Sequence, residues 1–405
     1  MKIQLRNRMV LFILIVFLPS CTTFQTIQLI NGGEVVLSGY TESVVPFTLV
    51  GHPILIKVRL NNTQKEYSFI FDTGALTLIT KEVAKELDLP KGIEVEANDA
   101  GGKTKIIDMV KLDNVSVEKM KVRNCAAGVT DFPEMFPPNI AGILGSNFFK
   151  HFKVTIDYQK KELTFSKDTK PIAQQNTDIK IPFKTNMETG FAPIIECQVD
   201  EMNTTAEIDT GFPGIVALPL SLVKKTQTFK LGAVITAQGS MSGGAFGMEE
   251  ESYGLRIDEL RIGALRINHI PSTSHSSKND HLLLGNKFLE KYLVILNYPA
   301  EEIILTPYGT PFETNIPTYG LALAKKDHKT LVSGIWNNSP ASRSGIKPGD
   351  EVVKINSTDA STLSLMEMIP MFQDENINSL EIEYLNGKER HKIILDKGML
   401  LPVFK

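Results

Sequence analysis

The strongest constraint in this sequence is that it contains one unit twice. Residues 143–165 (ILGSNFFKHFKVTIDYQKKELTF) align without a gap on residues 283–305 (LLGNKFLEKYLVILNYPAEEIIL). Leu144, Gly145, Phe148, Val154, Tyr158 and Glu162 match Leu284, Gly285, Phe288, Val294, Tyr298 and Glu302. Upstream, Pro46-Phe47 pairs with Pro182-Phe183, and Asp72-Thr73-Gly74 with Asp209-Thr210-Gly211. Glycine-rich stretches at 97–102 and 237–244 also correspond. Like features in one order, about 140 positions apart, mark a duplication. With 405 residues and roughly 150 residues to a domain, two or three domains are expected.

Within each unit the pattern is mostly strand. Residues 54–60 and 67–71 alternate or run apolar, rich in β-branched and aromatic side chains, with Asn61-Asn62 as the turn. Residues 154–157 and 162–165 read as a second hairpin turned at 159–161. Short helices are expected at 81–87 and, in the second unit, at 220–225. Many short strands with Gly and Pro turns predict a mainly β chain of barrels or sandwiches. The first lobe is placed at 21–170 and the second at 171–310, joined by the polar stretch 166–180.

Composition removes several classes. Forty-three Lys and Arg against 46 Asp and Glu leave a formal charge of −3, so nothing calls for nucleic acid. Three cysteines make no disulfide-dense scaffold, and no C-x-x-C pair suggests zinc. Seven histidines show no His-Glu-x-x-His spacing, so no metal is implied, and no other cofactor. Gly101-Gly102-Lys103-Thr104 is not a phosphate loop, because Ala97 stands where glycine is required.

At the N-terminus, Lys2, Arg6 and Arg8 precede an apolar run from Met9 to Leu18, followed by Pro19-Ser20-Cys21. A charged leader, a short apolar stretch and a small residue form a secretory signal, here residues 1–20. The ending resembles a bacterial lipobox, although Pro19 departs from the usual small residue. It implies lipidation of Cys21, a membrane anchor and a cell-envelope location facing the periplasm. Cys125 and Cys197 fall in separate lobes, which favours two buried free thiols over a disulfide.

Asp-Thr-Gly flanked by apolar residues, twice, each followed by an apolar-apolar-Gly (Ile143-Leu144-Gly145 and Leu283-Leu284-Gly285), carries a chemistry. Two carboxylates held a few ångströms apart share one proton, so one takes a proton from water while the other gives one to a carbonyl oxygen. These motifs resemble those of retropepsin-like aspartic proteases, with both lobes in one chain as in the pepsin family. The resemblance implies a bilobal protease with Asp72 and Asp209 as the dyad. Thr73 and Thr210 would cross-bond the two loops, and Gly74 and Gly211 would allow close approach. Gly101, Gly102, Gly243 and Gly244 would lie on flaps over the substrate, and the apolar-apolar-Gly strand would thread behind its Asp loop. Peptides or unfolded proteins are the implied substrates, and a monomer suffices.

One departure stands out. The residue after Asp-Thr-Gly is Ala75 in the first lobe but Phe212 in the second, and neither side chain donates a hydrogen bond. That predicts a raised dyad pKa and activity nearer neutral pH. It also leaves open that Phe212 crowds the site.

From about residue 315 to 400 the pattern changes. Tyr319-Gly320-Leu321-Ala322, Ser339-Pro340-Ala341, residues 344–350 (SGIKPGD), a helical stretch at 363–372 and a strand pair turned at Asn386-Gly387 resemble a bacterial, circularly permuted PDZ domain. The resemblance implies an α+β module in which the amides of Gly320, Leu321 and Ala322 bind a peptide C-terminus. The leading reading is thus a membrane-anchored aspartic endopeptidase. The second is a non-catalytic peptide-binding lipoprotein whose second lobe has drifted.

Overall fold

The computed structural model describes residues 21–36, 39–137, 139–168, 176–374 and 376–401. The leader 1–20 and the middle of the 166–180 connection lie outside the described residues. Among those described, no helix is long and apolar enough to cross a membrane.

Both lobes are small closed barrels with one pairing order. In the first lobe Ile54–Leu60 pairs Glu66–Phe71, which pairs in parallel with Gly142–Leu144. That strand lies against Leu78–Ile79, which joins Met120–Val129, then Thr104–Val117, and so returns to Ile54–Leu60. The second lobe repeats the circuit: Ile194–Val199, Met202–Ile208, Leu282–Leu284, Val216–Pro219, Leu265–His275, Tyr253–Ile262 and back. Alternation explains the inward faces. Ile54, Ile56, Val58 and Leu60 are buried while Lys57 is exposed.

The duplicated hairpins do not close their own barrels. Lys153–Asp157 pairs with Tyr292–Asn297, so the two hairpins meet edge to edge. Glu162–Ser166 and Glu302–Pro307 flank them, and Glu42–Pro46 and Ile179–Lys184 complete a six-stranded antiparallel base under both lobes. Ser166, Ile179 and Lys180, expected in the connection, are therefore strand. One continuous apolar core fills the two lobes and the base. Phe71, Phe148, Phe149, Phe152 and Phe165 are fully buried in it, with the Phe71 and Phe149 rings 4.4 Å apart. Each buried ring of this kind contributes about 2–3 kcal/mol, and Phe71 directly precedes Asp72.

The short helix Lys81–Glu86 is capped by the Thr80 hydroxyl. In the second lobe the matching helix is one turn, Leu220–Val223, followed by another, Gln227–Lys230. A helix not foreseen, Cys21–Asn31, packs on Met120–Val129. Cys125 and Cys197 are buried free thiols.

The third domain has its own core around Tyr319, Val332, Ile335, Val352, Ile382 and Leu395. Its strands are Leu321–Lys326, Lys329–Trp336, Glu351–Ile355, Ser379–Asn386 and Glu389–Asp396, with helix Leu365–Gln373 capped by a Ser364–Glu367 capping box.

Candidate active site

Each Asp-Thr-Gly sits at the end of a barrel strand with the apolar-apolar-Gly strand threaded behind it. Phe71 pairs Leu144, and the Asp72 amide donates to Leu144 O at 3.0 Å. In the second lobe Ile208 pairs Leu284, and the Asp209 amide donates to Leu284 O, also at 3.0 Å. The loops meet at the pseudo-two-fold axis. A Cβ on Gly74 would lie 2.7 Å from Asp209 Cγ, and one on Gly211 would lie 2.6 Å from Asp72 Cγ. Any other residue at either position would drive the carboxylates apart.

Two buried threonines lock this approach. The Thr73 amide donates to Thr210 Oγ1 at 3.0 Å, and the Thr210 amide to Thr73 Oγ1 at 3.1 Å. Each hydroxyl then donates across the axis: Thr73 to Ile208 O at 2.6 Å, Thr210 to Phe71 O at 3.0 Å. All four polar groups are satisfied without water, so the loops hold one geometry.

A second pair of ties lies beneath the first. Ser146 Oγ donates to Thr73 O and accepts from the Tyr298 hydroxyl, both at 2.8 Å. Asn286 Nδ2 donates to Thr210 O at 2.5 Å, while Asn286 Oδ1 accepts from the Tyr158 hydroxyl at 2.6 Å. Each loop is thus held by its own lobe's residue after Leu-Gly, and that residue by the opposite lobe's tyrosine. The repeat alignment marks Tyr158 and Tyr298 as matched positions, but their role depends on the hairpins crossing in the base.

Asp72 is pushed well above the usual carboxylate range, first by burial and then by the Asp209 charge. Asp209 is raised by burial too, but the amides of Gly211 and Phe212 and a hydrogen bond from Asp72 draw it back. The two carboxyls are coupled, so they titrate as a pair. A third buried carboxyl, Glu207, lies against the dyad and escaped the sequence reading. Its one sequence signal is an acid where the other lobe has Ile70.

Phe212 does not crowd the dyad. Its amide donates to Asp209 Oδ1 at 3.1 Å, and its ring lies against Gly214 and Gly285. There it lines a cavity of about 280 Å³ between the second lobe and the third domain, with His52, Arg256, Trp336 and Gln373. The loop's backbone, not the missing hydroxyl, supplies the hydrogen bond.

The glycine-rich loops meet tip to tip. Ile93–Asn98 and Thr104–Val117 form the first-lobe hairpin, with Gly102 at its turn (φ +77°). Gly101 lies against Gly244 and Gly247, and Asp99 Oδ2 accepts the Phe246 amide at 2.7 Å. Ala245 and Phe246 pack on the apolar patch that includes Ala75, Ala97, Ile107 and Met109. In the second lobe the loop differs from a self-paired hairpin. Gly243–Gly244 bridges only Gly247–Met248. The preceding strand Ile235–Gly239 leaves Tyr253–Ile262 after Thr236 and pairs with Gly334, Ile335 and Trp336 of the third domain.

The third-domain loop belongs to a separate apolar core. Gly320 takes φ +78° against Ser339, and its amide already donates to Thr318 Oγ1 at 3.0 Å. Leu321 and Ala322 begin a strand that pairs with Lys329–Trp336, beside helix Leu365–Gln373. Cys21 begins the first helix. Among the described residues no group of three His, Cys, Asp or Glu is placed to hold a metal ion.

Two family models match parts of the chain. The family model for aspartyl proteases matches residues 56–148, and that for PDZ domains matches residues 318–378. No curated protein matches the chain. Among solved structures, the basic 7S globulin from soybean is similar at 11% identity with a TM-score of 0.39, covering 66% of this chain and 95% of that one. The chain therefore carries an aspartyl protease domain followed by a C-terminal PDZ domain.

Proposed function

We propose that the protein is an aspartic endopeptidase that hydrolyses extended peptides or unfolded proteins as a single chain. The reciprocal Thr73–Thr210 hydrogen bonds carry this reading, because they hold two carboxyls at the spacing that shares one proton. In the reaction, ionised Asp209 takes a proton from water as the oxygen attacks the peptide carbonyl. Asp72 gives its proton to the carbonyl oxygen. The resulting gem-diol collapses as a proton passes to the leaving amine, breaking the C–N bond. Burial of both carboxyls supports activity nearer neutral pH than a solvated pair would have.

The PDZ domain serves recognition and restraint. A peptide C-terminus lying along Leu321–Lys326 adds a strand to a sheet that also holds the second-lobe flap strand. Occupancy of one edge is thereby felt at the flap. The leader and Cys21 support a lipid-anchored form in a bacterial envelope, facing the periplasm.

The test is cleavage of denatured casein between pH 3 and 8, with and without pepstatin, beside Asp72→Asn and Asp209→Asn. Cleavage lost in both variants supports the shared dyad. No cleavage by the wild type at any pH, together with peptide binding, supports the non-catalytic reading instead.

A further inference from the structure

The lobes differ at one position directly under the dyad. Two residues before Asp72 stands Ile70, and two before Asp209 stands Glu207. Residues two apart on a strand share a face, so each lies on the side of its own Asp. Ile70 pairs Ile143 and belongs to an apolar cluster. Glu207 pairs Leu283 and Ile194, is 6% exposed, and reaches across the axis to the other lobe. Its Oε1 lies 2.7 Å from where a Cβ on Gly74 would stand. Among the described residues the charges acting on it are those of Asp209 and Asp72, and no Lys, Arg or His opposes them. The buried Tyr298 hydroxyl feels the charges of both Asp72 and Glu207.

We propose that Glu207 is a third member of the carboxyl cluster: a positioning residue that keeps the Asp72–Asp209 pair singly protonated to higher pH. The proposal rests on the protease reading above. At a net charge of −1 the three carboxyls hold two protons. When rising pH removes one of them from Glu207, the new charge repels ionisation of the dyad, and the dyad keeps the proton that catalysis needs. Burial and the two aspartates hold the Glu207 carboxyl well above its ordinary range, consistent with that exchange. With a neutral side chain at 207, the dyad gives up its proton sooner.

The experiment is the pH profile of kcat/KM for wild type, Glu207→Gln and Glu207→Ile, the last copying the first lobe. The basic limb is expected to move down by about one pH unit in both variants while the acid limb stays. A uniform loss with neither limb displaced would overturn the proposal and leave Glu207 a packing residue. Urea unfolding between pH 4 and 8 gives a readout that needs no cleavage. A carboxyl whose folded pKa is raised stabilises fully below its unfolded value, and that stability is lost as pH rises through the folded one. The stability of Glu207→Gln or Glu207→Ile relative to wild type should therefore grow across this range, even if the protein cuts nothing. A constant difference would overturn the titrating role independently of the protease reading.

Discussion

The two lobes share a circuit of six strands, a threonine at the axis and a crossing tyrosine, yet they differ in what stands around each Asp loop. The first lobe's glycine-rich turn closes its own long hairpin, Ile93–Asn98 and Thr104–Val117. The second lobe lends strand Ile235–Gly239 to the PDZ sheet. Beneath the loops, Ser146 and Ile70 face Asn286 and Glu207. Duplication has preserved what must meet at the axis and diverged where each lobe faces something different.

The comparison breaks most severely at the carboxylates. Asp72→Asn and Asp209→Asn should each lower kcat/KM by about 10³-fold or more, and a large residual rate in one of them would mean that its lobe is dispensable. Next come the threonines. Thr73→Val and Thr210→Val each strand a buried amide and carbonyl, so urea denaturation should show a loss of about 3 kcal/mol in either variant. Equal losses mark a symmetric axis; unequal ones show which lobe depends more on the other.

Glu249, in the second-lobe flap, sharpens the contrast. Burial pushes its carboxyl up to about 7, with the Asp99 charge adding to the shift and the Ser242 hydroxyl opposing it. The stability it contributes is full below pH 4.5 and lost as pH rises through about 7. Hydrogen exchange in residues 240–250, corrected for intrinsic rate, should therefore accelerate from pH 5.5 to 8. Glu249→Gln should flatten that rise, and the rest of the second lobe should not follow it.

Tyr158→Phe and Tyr298→Phe should each cost about 1 kcal/mol by urea unfolding. Smallest of all, Cys125 and Cys197, each pushed up to about 12 by burial, should resist iodoacetamide in the native protein. Rapid labelling of one would reveal a lobe that opens.

What was legible in the sequence was local or duplicated. The alternation of Ile54–Leu60 and the helix expected at 81–87 match their elements within a few residues. The doubled Asp-Thr-Gly marked two loops that the fold brings together through Thr73 and Thr210. Glu207 was hidden because Thr-Thr-Ala-Glu-Ile reads as an ordinary strand with polar positions outward. It packs beside Gly74, far away in the chain. The pairing of strand Ile235–Gly239 was hidden for a similar reason: its residues 237–239 pair with Gly334–Trp336, and no local pattern names a distant edge. Helix Cys21–Asn31 carries no acidic residue in its first turn and no basic residue in its last, so its ends sent no signal.

The shared strand also bears on how far the two domains can be separated. Domains recombine freely when a linker is all that joins them. Here Ser240 and Asn337 continue the pairing beyond the strand, donating to Ser333 O at 2.8 Å and to Thr236 O at 2.9 Å. A protease cut free of this PDZ domain would carry a raw edge beside its cleft, and a PDZ domain moved elsewhere would carry a gap shaped for that edge. The two are therefore joined by backbone pairing as well as by the chain between them.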